Sequence, residues 1–175
     1  GRVPLVSATG STVMGKKVAE SVGKRLGKSL LELGGNNAMI VTPEADLKIT
    51  LVAAVFGAIG TCGQRCTSTR RLIVHNDIYE ELKNALTKAY SQIKIGNPLD
   101  ENNHMGPLID KGAVQQYLNA IKTAVQEGGK EIIEGGVVKD ELLKGGCYIK
   151  PCIIEAKNSF KIIFSINIPF TFLKH

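Results

Sequence analysis

Two short stretches carry residue types able to do covalent chemistry. Gly63-Gln64-Arg65-Cys66-Thr67 sets a thiol in a glycine-led loop. Leu31-Glu32-Leu33-Gly34-Gly35 sets a carboxylate at the end of an apolar run, just before two glycines. A thiol attacks as its thiolate, and a reference pKa of about 8.5 keeps it mostly protonated at neutral pH. A carboxylate within reach can act as a general base, on the thiol or on a water. Flanking glycines let backbone approach a substrate closely. Taken singly, each residue has a plainer use: Cys66 as a small buried hydrophobe, and Glu32 as an exposed charge at a strand end.

The remaining cysteines are Cys62, Cys147 and Cys152, and the three histidines are isolated from one another. Neighbouring thiols are separated by three or four residues, not by the two of zinc-binding C-x2-C pairs, so no metal site is expected. Cys62 is either a resolving partner for an oxidised Cys66 or a small core residue. His104 sits in a loop, where a lone histidine is expected to be simply solvated.

A third stretch offers an anion site. Arg2 to Ala8 reads as a buried strand, Thr9 to Lys17 follows, and Val18, Val22 and Leu26 recur at helical spacing, with Gly27 as the C-cap. Backbone N–H groups and the helix dipole at such a turn favour a phosphate; the alternative is a purely structural turn. Gly10 to Lys16 fits G-x-x-x-x-G-K, the opening of a P-loop. The next position must then be Ser or Thr to hold magnesium, and it is Lys17, so a true P-loop is not expected.

The elements that must position these stretches alternate along the chain. Ser29 to Leu33 and Asn37 to Val41 read as strands. Thr42 or Asp46 caps a helix whose apolar face is Leu47, Leu51, Ala54, Val55, Ala58 and Ile59, and which leads into the cysteine loop. Arg71 to His75 is a strand. Asp77 caps a helix bearing Ile78, Leu82, Leu86, Ala89 and Ile93, stopped by Gly96-Asn97-Pro98. Asp110 caps a third long helix, bearing Val114, Tyr117, Leu118, Ile121 and Val125. Glu131 to Glu134 and Tyr148 to Glu155 read as strands. Strands alternating with helices predict parallel pairing and an α/β sandwich.

Composition bounds what such a chain can be. Its 175 residues are 43% hydrophobic and 22% charged, enough for a globular fold with a sizeable core. No apolar run reaches transmembrane length, and no signal-peptide pattern opens the chain; no membrane partner is expected. The net charge is +6, yet Lys and Arg are scattered and the four Tyr and five Phe do not interleave with them, which argues against nucleic acid. The chain opens without Met, inside a predicted strand, and is expected to be a fragment.

E-L-G-G-N-N followed 34 residues later by G-Q-R-C-T resembles the aldehyde dehydrogenase superfamily. The N-N and the Arg before the Cys look most like its antiquitin branch, the α-aminoadipic semialdehyde dehydrogenases. Matching pieces run in the family's order from Val6 to about Ile154, including T-G-S-x-x-x-G at Thr9 to Gly15, and G-N-P-L-D followed by G-P-L from Gly96 to Leu108, read as structural connection. The resemblance implies a parallel sheet flanked by helices. Residues 1–34 would close a Rossmann-like cofactor domain, 35–160 would form part of the catalytic domain, and 161–175 would be a divergent apolar tail. It implies Cys66 as nucleophile and Glu32 as general base. It places Gly10, Ser11, Thr12, Gly15 and Leu33 at NAD (or NADP), and Arg65 and Thr67 at the substrate. A guanidinium beside the nucleophile could pair with a distal carboxylate of an amino-acid semialdehyde, or form a structural ion pair. The resemblance further implies a small aldehyde substrate, homo-oligomers of the full-length proteins, and a reducing compartment, cytoplasmic or mitochondrial.

The family's E-E-x-F-x-P segment, whose glutamates hold the nicotinamide ribose, is replaced by Phe164-Ser165-Ile166-Asn167-Ile168-Pro169-Phe170. Left unpaired, this apolar tail would be an aggregation hazard. The family's upstream oxyanion Asn also lies outside these residues. The 175 residues alone are therefore not expected to catalyse dehydrogenation. Two other classes compete: a cofactor-independent thiol hydrolase or acyltransferase, for which His75 is the histidine nearest Cys66 in sequence, and a catalytically dead fragment.

Overall fold

The computed structural model describes residues 3–156 and 171–174. The backbone divides into two compact units, Gly1–Gly35 and Asn36–His175.

The first unit is a strand–helix–strand. Strand β1 (Leu5–Thr9) pairs in parallel with β2 (Lys28–Glu32), in register from Leu5 opposite Lys28 to Thr9 opposite Glu32. Helix α1 (Thr12–Gly23) connects them and begins at Ser11, whose side chain accepts from the Met14 N–H at 3.1 Å. The helix does not end on Gly27 as the sequence suggests. Leu26 takes the left-handed conformation (φ 55°), its N–H bonding the Gly23 carbonyl, while the Gly27 N–H bonds that of Val22. This is a Schellman closure with leucine where glycine is usual. Leu26 is 96% exposed, so solvent leaves its side chain room there.

The second unit is built on a five-stranded sheet of order β3-β4-β9-β8-β5, comprising β3 (Asn37–Val41), β4 (Thr69–Val74), β5 (Lys130–Ile133), β8 (Ile153–Ala156) and β9 (Thr171–Lys174). Pairing is parallel except between β5 and β8. The expected Tyr148–Glu155 strand is two strands. Pro151 lacks an N–H for a ladder, and the chain breaks there. Residues Ile149–Lys150 (β7) pair back onto Gly136–Val137 (β6) as an antiparallel ribbon, so β8 returns beside β5 in the opposite direction. Parallel neighbours need a long crossover; this local return needs none. Residues 157–170, which hold the divergent Phe164–Phe170 stretch, lie outside the described residues. Within the same expected tail, Thr171–Lys174 is paired on both sides, to β4 and to β8.

Three helices complete this unit: α2 (Leu47–Ile59), α3 (Asn76–Tyr90) and α4 (Lys111–Gln126). Of the two candidate caps for α2, Asp46 serves, accepting from Lys48 and Ile49 N–H. Asp110 caps α4 through the Ala113 N–H at 2.7 Å. Helix α3 is capped by His75, whose Nδ1 accepts from the Asp77 N–H, and Asp77 falls in the first turn. The core packs Leu72 and Val74 of β4 with Ala54, Ala58 and Ile59 of α2, Leu82 and Leu86 of α3, Tyr117 of α4, and Ile153 and Ile154 of β8. Among the described residues no helix is long and apolar enough to cross a membrane.

Candidate active site

In the first unit, the predicted cofactor positions gather where β1 meets α1. The Gly10 N–H donates to the Glu32 carbonyl at 3.0 Å, which carries the ladder one residue past β1 and places Glu32 at the carboxyl end of β2, exposed. Open parallel sheets bind ligands at this end of their strands. Ser11 caps the helix and Thr12 begins it. The first-turn N–H groups of Thr12 and Val13 have no acceptor within the helix. Gly15 is buried, and a Cβ there would fall 2.5 Å from both terminal methyls of Leu33. Leu33, just beyond β2, therefore packs onto α1 only because residue 15 has no side chain. Lys16 and Lys17 follow, both exposed, adding positive charge near the turn.

In the second unit, α2 delivers the chain into an unusual bend. Thr61, Cys62 and Gly63 take φ of 55°, 54° and 67° in succession. Left-handed backbone costs a β-branched residue such as Thr61 about 1 kcal/mol or more. Side chains pin the bend. Gln64 Nε2 donates to the Thr61 and Pro107 carbonyls, and its Oε1 accepts from the Ile109 N–H at 2.8 Å. The buried guanidinium of Arg70 donates to the Gly63 carbonyl at 3.0 Å and the Arg65 carbonyl at 3.4 Å; burial works against its charge. Arg70 reaches these groups because β4 carries a bulge. Asn37 pairs with Thr69 and Ala38 with Arg71, leaving Arg70 as the extra residue.

Cys66 and Thr67 form the exposed corners of a turn closed at both ends. The Ser68 N–H bonds the Arg65 carbonyl at 3.2 Å, and the Arg65 N–H bonds Ser68 Oγ at 3.1 Å. The Arg65 guanidinium lies 4.9 Å from the Phe56 ring centroid, a cation–π contact. Among the described residues no carboxylate pairs with it. His75 is occupied as a helix cap. His104 is more than solvated, since its Nδ1 accepts from the Lys94 N–H at 3.0 Å.

The thiols differ sharply in setting. All four are free; Cys66 is exposed, Cys147 half-buried, and Cys62 and Cys152 buried. Burial pushes both Cys62 and Cys152 up to about 12 from an ordinary 9.0. A thiol so raised stays protonated in the folded chain while the unfolded chain ionises. Its stabilisation is intact below pH 9 and is lost as pH rises towards 12. The unfolding free energy from urea titrations should therefore fall through that window, by up to about 1.4 kcal/mol per pH unit for each thiol. Replacing Cys62 and Cys152 with alanine should flatten the thiol part of the decline; an unchanged slope would refute this origin.

Asn37, Gln64 and Arg70 hold the thiol loop and were not legible as site residues. The N-N pair and the Gln of G-Q-R-C were visible, but nothing in their spacing shows that a side chain binds backbone 29 to 45 residues away.

The structure thus presents a strand–turn–helix whose first-turn N–H groups have no acceptor within the helix, and a loop with an exposed thiol. Residues 1–165 match the aldehyde dehydrogenase family, and this chain belongs to that family. It is 50% identical to α-aminoadipic semialdehyde dehydrogenase of Bos taurus over 87% of its length, and 44% identical over 88% to aldehyde dehydrogenase family 7 member A1 of Pisum sativum. It spans 28% and 30% of the lengths of those proteins. Betaine aldehyde dehydrogenase of Staphylococcus aureus, solved in complex with NAD+, superposes with a TM-score of 0.90 at 29% identity, covering 99% of this chain and 35% of that one.

Proposed function

We propose that this chain is part of an NAD-dependent dehydrogenase that oxidises an amino-acid semialdehyde to a carboxylic acid, with Cys66 as nucleophile and Glu32 as general base. Residues 1–34 close its cofactor domain and residues 35–160 belong to its catalytic domain. The observation that carries this reading is the exposure of Cys66 at the tip of a braced loop, in a family member.

The β1–α1 turn suits a nucleotide pyrophosphate. The N–H groups of Thr12 and Val13 have no acceptor within α1, and Ser11, already accepting through its oxygen, keeps its O–H to donate. Gly10, Ser11 and Thr12 would hold the phosphates, and Gly15 with Leu33 the wall behind them. NAD supplies the acceptor for the hydride that leaves the substrate carbon.

The Cys66 thiolate attacks the aldehyde carbon; a C–S bond forms and the carbonyl electron pair moves to oxygen, towards the Cys66 backbone N–H. Collapse of that oxyanion expels the hydride and leaves a thioester. Glu32 takes a proton from water as its oxygen attacks the thioester. The C–S bond breaks, and the thiolate returns with the carboxylic acid released. Arg65 holds the distal carboxylate of the substrate, its fork oriented by Phe56, and Thr67 contacts the substrate through its hydroxyl.

Alkylation at neutral pH with mass-spectrometric mapping tests the nucleophile. Cys66 should label first and the buried Cys62 and Cys152 last; labelling led by Cys147, with Cys66 inert though exposed, would defeat the assignment. Specificity has its own test. In an active enzyme carrying this segment, Arg65→Ala should lower kcat/KM for a carboxylate-bearing semialdehyde by about ten- to a hundredfold more than for a neutral aldehyde, the loss of a charge-assisted contact of about 1.5–3 kcal/mol. Equal losses would remove Arg65 from substrate recognition.

A further inference from the structure

Resting on the reading of Cys66 as nucleophile, we propose that Asn37 is a positioning residue: it clamps the peptide that follows the thiol and so holds Cys66 in one presentation to substrate. Arg65 to Ser68 is a four-residue turn closed by the Ser68 N–H on the Arg65 carbonyl. In such a turn the central peptide, here between Cys66 and Thr67, takes no part in the closing bond. Rotating that peptide interconverts type I and type II turns with the ends unmoved. This rotation would change the Cys66 ψ angle, on which the allowed rotamers of its side chain depend.

Asn37 blocks the rotation. Its Nδ2 donates to the Cys66 carbonyl at 2.6 Å and to the Ser68 carbonyl at 3.0 Å. Both partners are acceptors, so the orientation of the amide is settled by chemistry: only the NH2 end, with its two hydrogens, satisfies them together. The clamp is itself anchored. Asn37 begins β3, half-buried, with its backbone opposite Thr69 at the start of the β4 bulge. That bulge also sends Arg70 to the Gly63 and Arg65 carbonyls. Side chains of Asn37 and Arg70 thus bind carbonyls at 63, 65, 66 and 68, on both sides of the thiol.

The test is the pre-steady-state burst of NADH in an active enzyme carrying this segment, per Cys66 site titrated by alkylation. Asn37→Ala should slow the burst at least about tenfold with its amplitude per site unchanged, since the thiol is present but samples other presentations. Asn37→Ser, whose single hydroxyl hydrogen cannot serve both carbonyls, should also slow it and gives a second variant if alanine fails to fold. Asn37→Asp should be slowest near pH 8, where a carboxylate faces two carbonyl oxygens. Relative to the parent at each pH it should recover in part, no further than the serine variant, as the pH is lowered and the carboxyl gains its one proton to donate. A purely structural role would lower the melting temperature and leave the burst per titrated site within twofold of the parent; that result, in whichever of the Ala and Ser variants folds, overturns the proposal. A Cys66→Ala control separates the two readings. If it keeps the burst, the nucleophile assignment falls and this inference with it. If it loses the burst while the Asn37 variants keep theirs, the positioning role alone falls.

Discussion

Cys66→Ser is expected to lower NAD reduction by an active enzyme carrying this segment by at least about 10⁴-fold, the scale on which loss of a covalent nucleophile acts. Serine is nearly isosteric, so the exposed turn at Arg65–Ser68 should form unchanged and the melting temperature should stay close to that of the parent. What goes is the thiolate: an alcohol has no comparable ionised fraction near neutrality, and no base has been placed to remove its proton. Cofactor binding, measured by fluorescence titration, should survive because the turn at Gly10 to Gly15 lies elsewhere in the sequence. Turnover within tenfold of the parent would mean that the covalent route is wrong and that direct hydride loss from a hydrated aldehyde must be considered.

Glu32→Gln is expected to separate the two halves of the reaction. The amide keeps the shape and can still orient a water, but it cannot take a proton. If Glu32 serves the hydrolytic half, steady-state turnover falls by about 10² to 10⁴, while a rapid burst of NADH equal to the number of Cys66 sites remains. The thioester then accumulates, and mass spectrometry should find the acyl group on Cys66. A burst slowed in parallel with turnover would place Glu32 at the thiol instead of at the water, the alternative that the carboxylate's chemistry leaves open.

The readable parts of the fold were those fixed by local chemistry. Asp46 and Asp110 each stand just before a helix-period apolar run, and a short carboxylate there satisfies backbone donors in almost any tertiary setting. His75 escaped because imidazole is a less usual cap and Asp77, two residues on, offered a more familiar one. The single strand expected over Tyr148–Glu155 failed for a related reason. Apolar periodicity runs through Pro151, and only the missing N–H marks the break. With the break unseen, the antiparallel turn of β5 against β8 could not be anticipated, because strand direction depends on how the chain returns. At the candidate site, the reactive residue types announce themselves by glycine-flanked spacing. Their supports do not: the Asn37 clamp, the Gln64 bridge and the Arg70 bulge act on backbone atoms, which carry no sequence signal of their own.

The middle of the five-stranded sheet is occupied by β9, and among the described residues β4 and β8 are joined to one another only through it. Its four residues lie about a hundred positions beyond Arg71, their first partner on β4. A nascent chain emerging from the ribosome therefore meets an order-of-assembly problem. The β3–β4 pair and the β5–β8 pair can each form early from segments already synthesised, yet the sheet cannot be closed until Thr171–Lys174 appear. Until then each half presents an open edge with unsatisfied N–H and C=O groups. Closing so long a loop makes this step slow relative to the local pairings that precede it. The half-sheets are thus the species a chaperone would have to shield, and deleting β9 would leave them unjoined.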